Sequence, residues 1–278
     1  MEIRELIELY DQYQRIDSED PRYRREISTG VVRQVPLMPD RLGFVTYSHL
    51  DEENADVAIR AQIDHFTVLG IDFEWKLYDH DTPPDLKERL HTAGFIIEEA
   101  ESIMVLDLDQ APIELLNPAP TVKRNEAAHP MGAENIEVRR ITEPDGLAEV
   151  IAVEEAVWKE KMEWIHDHLG SYLRDYPELL SVYVAYIDGA PASAAWVFYF
   201  SGSLFASLWG GATLSSQRGK GLYSALLAVR IQEAIQRRRR FLVVDASAMS
   251  RPILEKYNFR LLDYSTPCKW QVKKYGIL

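Results

Sequence analysis

A chain of 278 residues, 46% hydrophobic and 27% charged, is long enough for two hydrophobic cores of ordinary size. No run of about 18 apolar residues occurs, which excludes a membrane-spanning helix. The lone cysteine, Cys268, excludes an intrachain disulfide and a cysteine-based zinc cluster. The formal net charge of −13 is unevenly placed: residues 1–110 hold 25 acidic and 11 basic side chains, the remainder 19 and 20. An acidic first portion argues against a nucleic-acid partner, which needs a basic face. The start MEIRELIELYDQYQR is charged from its second residue and lacks the apolar centre of a signal peptide. A cytoplasmic chain with no membrane partner is the expectation.

In chain order, GFVTYS (43–48) reads as a strand and NADVAIRAQIDHFTVLG (54–70) as a helix. Asn54 suits its cap, Ile59, Ile63 and Phe66 share one face, and Gly70 stops it. DFEWKLY (72–78) alternates as a strand does; Pro83-Pro84 opens a short helix through Leu86 and Leu90, closed by Gly94 before Phe95. SIMVLDL (102–108) is another strand. Four prolines fall in QAPIELLNPAPTVKRNEAAHPMGAEN (110–135), a density that blocks helices and strand pairing. This predicts a linker over 111–134 between domains at 1–110 and 135–278, with the apolar Ile113 to Leu116 lying against a domain.

After the linker, NIEVRRIT (135–142) reads as a strand and 143–178 as helical, punctuated near Gly170. SVYVAYIDGAPASAAWVFYF (181–200) predicts a hairpin turning at Asp188-Gly189. SLFASLWGGATL (203–214) is a strand, followed by a glycine turn and a helix to about Arg237. Arginines 237–240 stand at its far end, where they suit the dipole and are expected to stay solvated. FLVVDAS (241–247) is a strand, SRPILEKY (250–257) a short helix before Phe259, and RLLDYSTPCKWQV (260–272) a closing strand. Both portions run strand, long helix, strand, short helix, phenylalanine, closing strand, the pattern of a distant internal duplication.

The turn Arg218-Gly219-Lys220-Gly221 opens a helix with a broad apolar face. Unpaired N–H groups and the positive dipole end of such a helix suit a diphosphate, and glycines let the backbone approach it. A P-loop needs two glycines separated by four residues and then Lys and Ser or Thr, which no window offers. A dinucleotide fold of an oxidoreductase fits Gly219-Lys220-Gly221, with Asp245 ending the next strand, but Ser224 replaces the third glycine. Too little chain follows Asp245 for the rest of that fold.

Arg218-Gly219-Lys220-Gly221-Leu222-Tyr223 resembles the phosphate loop Q/R-x-x-G-x-G/A of the GNAT superfamily of N-acetyltransferases, with Tyr223 in place of a small residue. ILEKYNF (253–259) resembles the family's closing L-Y-E-K-x-G-F, and the order of elements over 135–278 is similar. The resemblance implies an α/β (α+β) mixed sheet of GNAT-like acyltransferase fold, tandem with a degenerate first half. It implies acetyl-CoA as donor, bound by the loop Arg218, Gly219, Lys220, Gly221, Leu222 and Tyr223. Ala212, Thr213 and Leu214, on a strand bulged at Gly210-Gly211, would hold the pantetheine, flanked by Ser247 and Ser250.

The acceptor would be a small-molecule or peptide amine, and the protein a monomer or homodimer. Leu254 stands where the family often has a tyrosine acid, so Tyr257, one helical turn on, is the first candidate acid, with Tyr264 and Ser250 as others. Glu155 and His166 are the candidate bases. His166 and His168 point apart on a helix, and no metal is expected. HLDEENAD (49–56) puts acid where a second diphosphate would sit, so the first portion lacks the device. A non-catalytic acyl-CoA sensor is the alternative from another class.

Overall fold

The computed structural model describes residues 1–28, 30–38, 41–116 and 136–272, so most of the expected linker lies outside the described residues. The elements run α1 (Ile3–Tyr10), β1 (Tyr23–Ser28), β2 (Val31–Pro36), β3 (Gly43–Ser48), α2 (Ala55–Leu69), β4 (Phe73–Tyr78), α3 (Leu86–Ala93), β5 (Ile96–Ile97), β6 (Glu101–Asp107) and α4 (Ile113–Leu116). They continue β7 (Ile136–Ile141), α5 (Leu147–Trp158), α6 (Trp164–Asp175), β8 (Leu180–Ile187), β9 (Ala190–Phe198), β10 (Phe205–Thr213), α7 (Leu222–Gln236), β11 (Phe241–Ala246), α8 (Arg251–Glu255) and β12 (Arg260–Trp270). Among the described residues no helix is long and apolar enough to cross a membrane.

Two compact units result. The first comprises Met1–Met104, Asp245–Leu254 and Arg260–Leu278, the second Val105–Val244 and Glu255–Phe259. The division departs from the expected boundaries because β12, the closing strand, pairs antiparallel with β4, Ser265 opposite Tyr78 through Trp270 opposite Phe73. Strand alternation looks the same whichever sheet edge a strand joins. In the first unit the strand order is β1-β2-β3-β4-β12-β6, with β5 also on β12. Its core holds the expected stripe Ile59, Ile63 and Phe66, and Phe66 stacks on Phe73 at 4.3 Å. Cys268 is buried there, and burial pushes its thiol up to about 12, so it is inert.

A polar cluster in this unit lies under α1 and the turn after it. Arg15, 1% exposed, donates to Asp81 Oδ1 at 2.6 Å, Asp11 Oδ1 at 2.7 Å and the Thr46 carbonyl at 3.0 Å. His80 lies between Asp263 (Nδ1 to Oδ2, 2.5 Å) and Asp11 (Nε2 to Oδ2, 3.0 Å). Burial and Arg15 oppose charging the imidazole, but the two carboxylates prevail and raise it to about 9. Because the folded imidazole is the more basic, its contribution is complete below the unfolded value near 6.5 and is lost as pH passes about 9. The melting-temperature gap between the unmodified chain and His80→Gln should therefore narrow from about pH 7 to about pH 10; a constant gap would contradict the clamp.

In the second unit the strand order is β11-β10-β9-β8-β7. Every residue of β8 is buried, so both faces are covered. Val182, Val184 and Tyr186 join a core with Leu147, Val150 and Leu169 of α5 and α6. The alternate residues Ser181 and Tyr183 reach Glu233 of α7, each donating to its carboxylate at 2.8 Å. Burial pushes that carboxyl up, but these hydroxyls and the Arg237 and Arg140 guanidiniums outweigh it and hold it below the usual range.

Two local expectations are revised, and the apolar patch of 113–116 is located. The helical stretch breaks at Lys159–Glu163, with Lys159 left-handed, whereas Gly170 is buried inside α6. Three of arginines 237–240 are engaged: Arg237 with Glu233 at 2.9 Å and over the Tyr199 ring, Arg239 with the Ser203 carbonyl, Arg240 with Asp107 and Asp109. The patch at 113–116 forms α4, whose Leu115 is buried and whose carbonyl receives Gln232 Nε2 of α7.

Candidate functional site

The site builds from β10. Phe205, Ala206 and Ser207 pair in parallel with Phe241, Leu242 and Val243, and there the pairing stops while β10 runs on to Thr213. On its other edge β10 pairs with β9, and the register slips between Gly210 and Ala212, leaving Gly211 as the bulge. Gly210 (φ 68°) and Gly211 (φ 90°) are both left-handed, a conformation that costs a residue bearing Cβ about 1–2 kcal/mol. Just beyond, Ser193 Oγ donates to the Ala212 carbonyl at 2.7 Å and pairs with Thr213 Oγ1 at 2.8 Å, which steadies the strand. From Leu208 to Thr213 one edge is held by β9, and the other has no strand partner among the described residues. Such an edge accepts an extended ligand that carries amides.

The expected glycine turn follows. A Cβ built on Gly219 or Gly221 meets nothing within 4 Å, so the backbone is bare on its outer side. α7 is anchored by Leu222, 1% exposed. Its first helical bond runs from the Ala225 N–H to the Gly221 carbonyl at 2.9 Å. The amides of Leu222, Tyr223 and Ser224 come before that bond, and Gly221, left-handed at φ 87°, has no side chain to cap them. Arg218 Nε donates to the Thr213 carbonyl at 3.3 Å, tying the turn to the bulged strand, and Lys220 brings a second cation.

The corresponding helix of the first unit is built the opposite way. Before α2, Asp51 Oδ1 accepts from the Glu53 and Asn54 N–H groups at 2.9 Å each, and Asn54 Oδ1 accepts from the Asp51 N–H. There a carboxylate already occupies the donors that would meet an anion.

The remaining predicted residues are scattered. Tyr257 joins the turn: its hydroxyl pairs with Ser224 Oγ at 2.6 Å in the first turn of α7. Tyr223, the departure from the loop pattern, lays its ring against the bulge, with Cε2 3.5 Å from where a Gly211 Cβ would stand. Burial raises its phenol above the ordinary value, with Arg230 opposing. Ser247 and Ser250 belong to the first unit and bond each other at the start of α8, Oγ to Oγ 3.3 Å. Leu254 is fully buried there.

Glu155 is committed to the turn after α5, accepting from the Met162 N–H at 3.1 Å with Lys161 at 3.6 Å. His166 is exposed beside Asp167, in a cleft with Asp145 and Glu163. Among the described residues no group of three His, Cys, Asp or Glu is placed to hold a metal.

The carboxylate that sequence reasoning passed over is the neighbour, Glu154, 4% exposed. It lies seven residues after Leu147, on the stripe with Val150 that faces the core. An ionisable residue on the apolar stripe of a helix was the available signal.

Several solved structures resemble the whole chain. A GCN5-related N-acetyltransferase from Kribbella flavida is similar with a TM-score of 0.63 at 12% identity, over 96% of this chain and 93% of that one. The chain has the GNAT fold. A tandem GNAT protein from the clavulanic acid biosynthesis pathway is similar with a TM-score of 0.55 at 13% identity, over 93% and 86%. A GCN5-related N-acetyltransferase from Sphaerobacter thermophilus gives 0.52 at 14%, over 87% and 77%. At such identities the likeness extends to the GNAT fold alone. No family model and no curated protein matches the chain.

Proposed function

We propose that the chain is an acetyl-CoA-dependent N-acetyltransferase that transfers an acetyl group to a primary amine, small-molecule or peptide, by direct attack in a ternary complex. The observation that supports it most is the pairing, within one unit, of a bulged strand edge and an uncapped helix start tied together by Arg218. One device suits the amide-bearing pantetheine and the other the diphosphate of the same thioester carrier. Arg218 and Lys220 would offset the phosphate charge, and a backbone N–H of Ala212 or Thr213, on the strand whose far edge has no strand partner among the described residues, would stabilise a developing oxyanion. The amine nitrogen bonds to the acetyl carbon as the carbon–sulfur bond breaks, and the leaving thiolate takes a proton. The phenols of Tyr223 and Tyr257 are the donors at this end of α7. The working form we take to be a cytoplasmic monomer or homodimer without a metal.

A second reading, a non-catalytic acyl-CoA sensor, has one observation in its favour. Leu254 is buried and apolar where the resembling family often has its acid. Calorimetry with acetyl-CoA and thiol release with a panel of amines separate the two. Binding with amine-dependent thiol release is expected of a transferase; binding with no release supports the sensor. Failure to bind acetyl-CoA, or a preference for a nicotinamide nucleotide, would remove both.

A further inference from the structure

Two carboxylates are buried in the second unit, and the fold treats them oppositely. Glu233 is ringed by donors. Glu154 has one: Trp158 Nε1 donates to Oε2 at 2.8 Å, while Oε1 is buried with no hydrogen-bond partner among the described residues. Keeping a carboxyl out of water with an oxygen unmet carries a heavy desolvation cost. A packing role would be better served by Leu or Met. Buried groups starved of partners occur disproportionately at functional sites.

The surroundings indicate what Glu154 faces. α5 packs on β9 and β10, and Ala212, just past the bulge, shares a core with Leu147, Val150 and Val153 of that helix. β9 and β10 carry no ionisable side chain. On α6, His166, Asp167, Arg174 and Asp175 are exposed, and His168 is engaged with the rings of Trp164, Tyr172 and Phe198. Asp145, in the turn before α5, is exposed, and Glu155 is bound to the Met162 N–H. Burial raises the Glu154 carboxyl to about 7, opposed only by the Trp158 bond.

Resting on the transferase reading, we propose that Glu154 Oε1 docks the ammonium group of the acceptor and takes its first proton. The acceptor class is then a cationic alkylamine whose chain lies on aromatic surface. Trp158 and Trp164 are each 52% exposed, and Trp209, immediately before the bulge, is 49% exposed. Rings run from Trp209 through Phe198 and His168 to Trp164, with successive centroids 6.5, 6.2 and 5.8 Å apart. Such faces attract cations. The ammonium passes one proton to the Glu154 carboxylate, giving a neutral amine and a neutral acid. The amine lone pair forms the carbon–nitrogen bond as the carbon–sulfur bond breaks. The thiolate leaves as free thiol with a proton from a phenol at the start of α7, that phenol recovers a proton from the nitrogen, and Glu154 returns its own to solvent.

The test compares the full chain with Glu154→Gln, which keeps an oxygen for the Trp158 N–H. Acetyl-CoA affinity is measured by calorimetry, phenethylammonium affinity by tryptophan fluorescence, and thiol release and melting temperature from about pH 5.5 to about pH 9. Acetyl-CoA affinity should be unchanged and phenethylammonium affinity at least about 10-fold weaker, with kcat/KM about 10²–10³-fold lower and its rise near pH 7 lost.

The melting temperature gives a readout that packing alone would not produce. The folded carboxyl keeps its proton to a higher pH than the unfolded one, so stability falls as pH rises between about 4.5 and about 7. Glu154→Gln should therefore melt higher than the unmodified chain above pH 7 and lose that advantage toward pH 4.5. Equal phenethylammonium affinity, or unchanged kcat/KM with a lowered melting temperature, would overturn the proposal alone. An unmodified chain that binds acetyl-CoA yet neither binds the amine nor releases thiol overturns it as well, whereas no acetyl-CoA binding removes the transferase reading with it.

Discussion

A chain carrying Gly221→Asp is expected to fold normally and to lose at least about 100-fold in acetyl-CoA affinity, about 2.7 kcal/mol. The position is left-handed at φ 87°, and a Cβ there meets nothing within 4 Å. The backbone cost is thus about 1–2 kcal/mol at most, and Asp is among the residues that pay least in that region. Two effects then act on the ligand in the same direction. The carboxylate brings negative charge directly before the amides of residues 222–224, and two charges about 4 Å apart near a surface repel by about 4 kcal/mol. It also caps those amides itself, as Asp51 already occupies the donors before α2. Gly221→Asn separates charge from shape, since it caps without repelling and should retain most of the affinity. Calorimetry on both variants, beside melting curves, decides; undiminished affinity in Gly221→Asp would remove the diphosphate from this turn.

That prediction rests on the part of the molecule most legible in sequence. Glycines 210, 211, 219 and 221 leave a record because glycine adopts left-handed backbone at least cost, so bulge and turn were readable in the sequence. The element order of the two portions was readable for a similar reason. β3 pairs in parallel with β4 over Gly43–Val45, β10 with β11 over Phe205–Ser207, and each pair is bridged by a 15-residue helix. Partners distant in sequence were not readable. The period-2 pattern of β12 is indifferent to whether it joins β4 or another edge. Helical phase was not readable residue by residue either: Glu155 accepts from the Met162 N–H, while the adjacent Glu154 is turned into the core. Residues 1–42 yielded least, because Arg15 and Asp81 meet across 66 positions and such an ion pair leaves no local periodicity.

Arg15→Met is expected to destabilise the first unit by about 3–5 kcal/mol, the usual consequence of removing one partner from a buried ion pair. Arg15 and Asp81 side chains are 1% and 2% exposed, and the guanidinium also stands 3.9 Å from the centre of the Tyr78 ring. Methionine fills much of the volume but leaves Asp81 without its cation. Burial already raises the Asp81 carboxyl above its ordinary value even against Arg15; without Arg15 it rises further and the group can escape by taking a proton. Stability is then lost as pH climbs through that higher value, so the penalty should be smaller near pH 5 than near pH 8. At pH 8 the melting temperature should fall by about 10 °C. Adding Asp81→Leu should recover more than half of the loss, since a buried pair replaced by apolar groups is often neutral. A single variant within about 1 kcal/mol of the unmodified chain at both pH values, or a double variant no better than the single, would show that Asp81 has another source of stabilisation and that Arg15 does not hold α1 and the following turn in place.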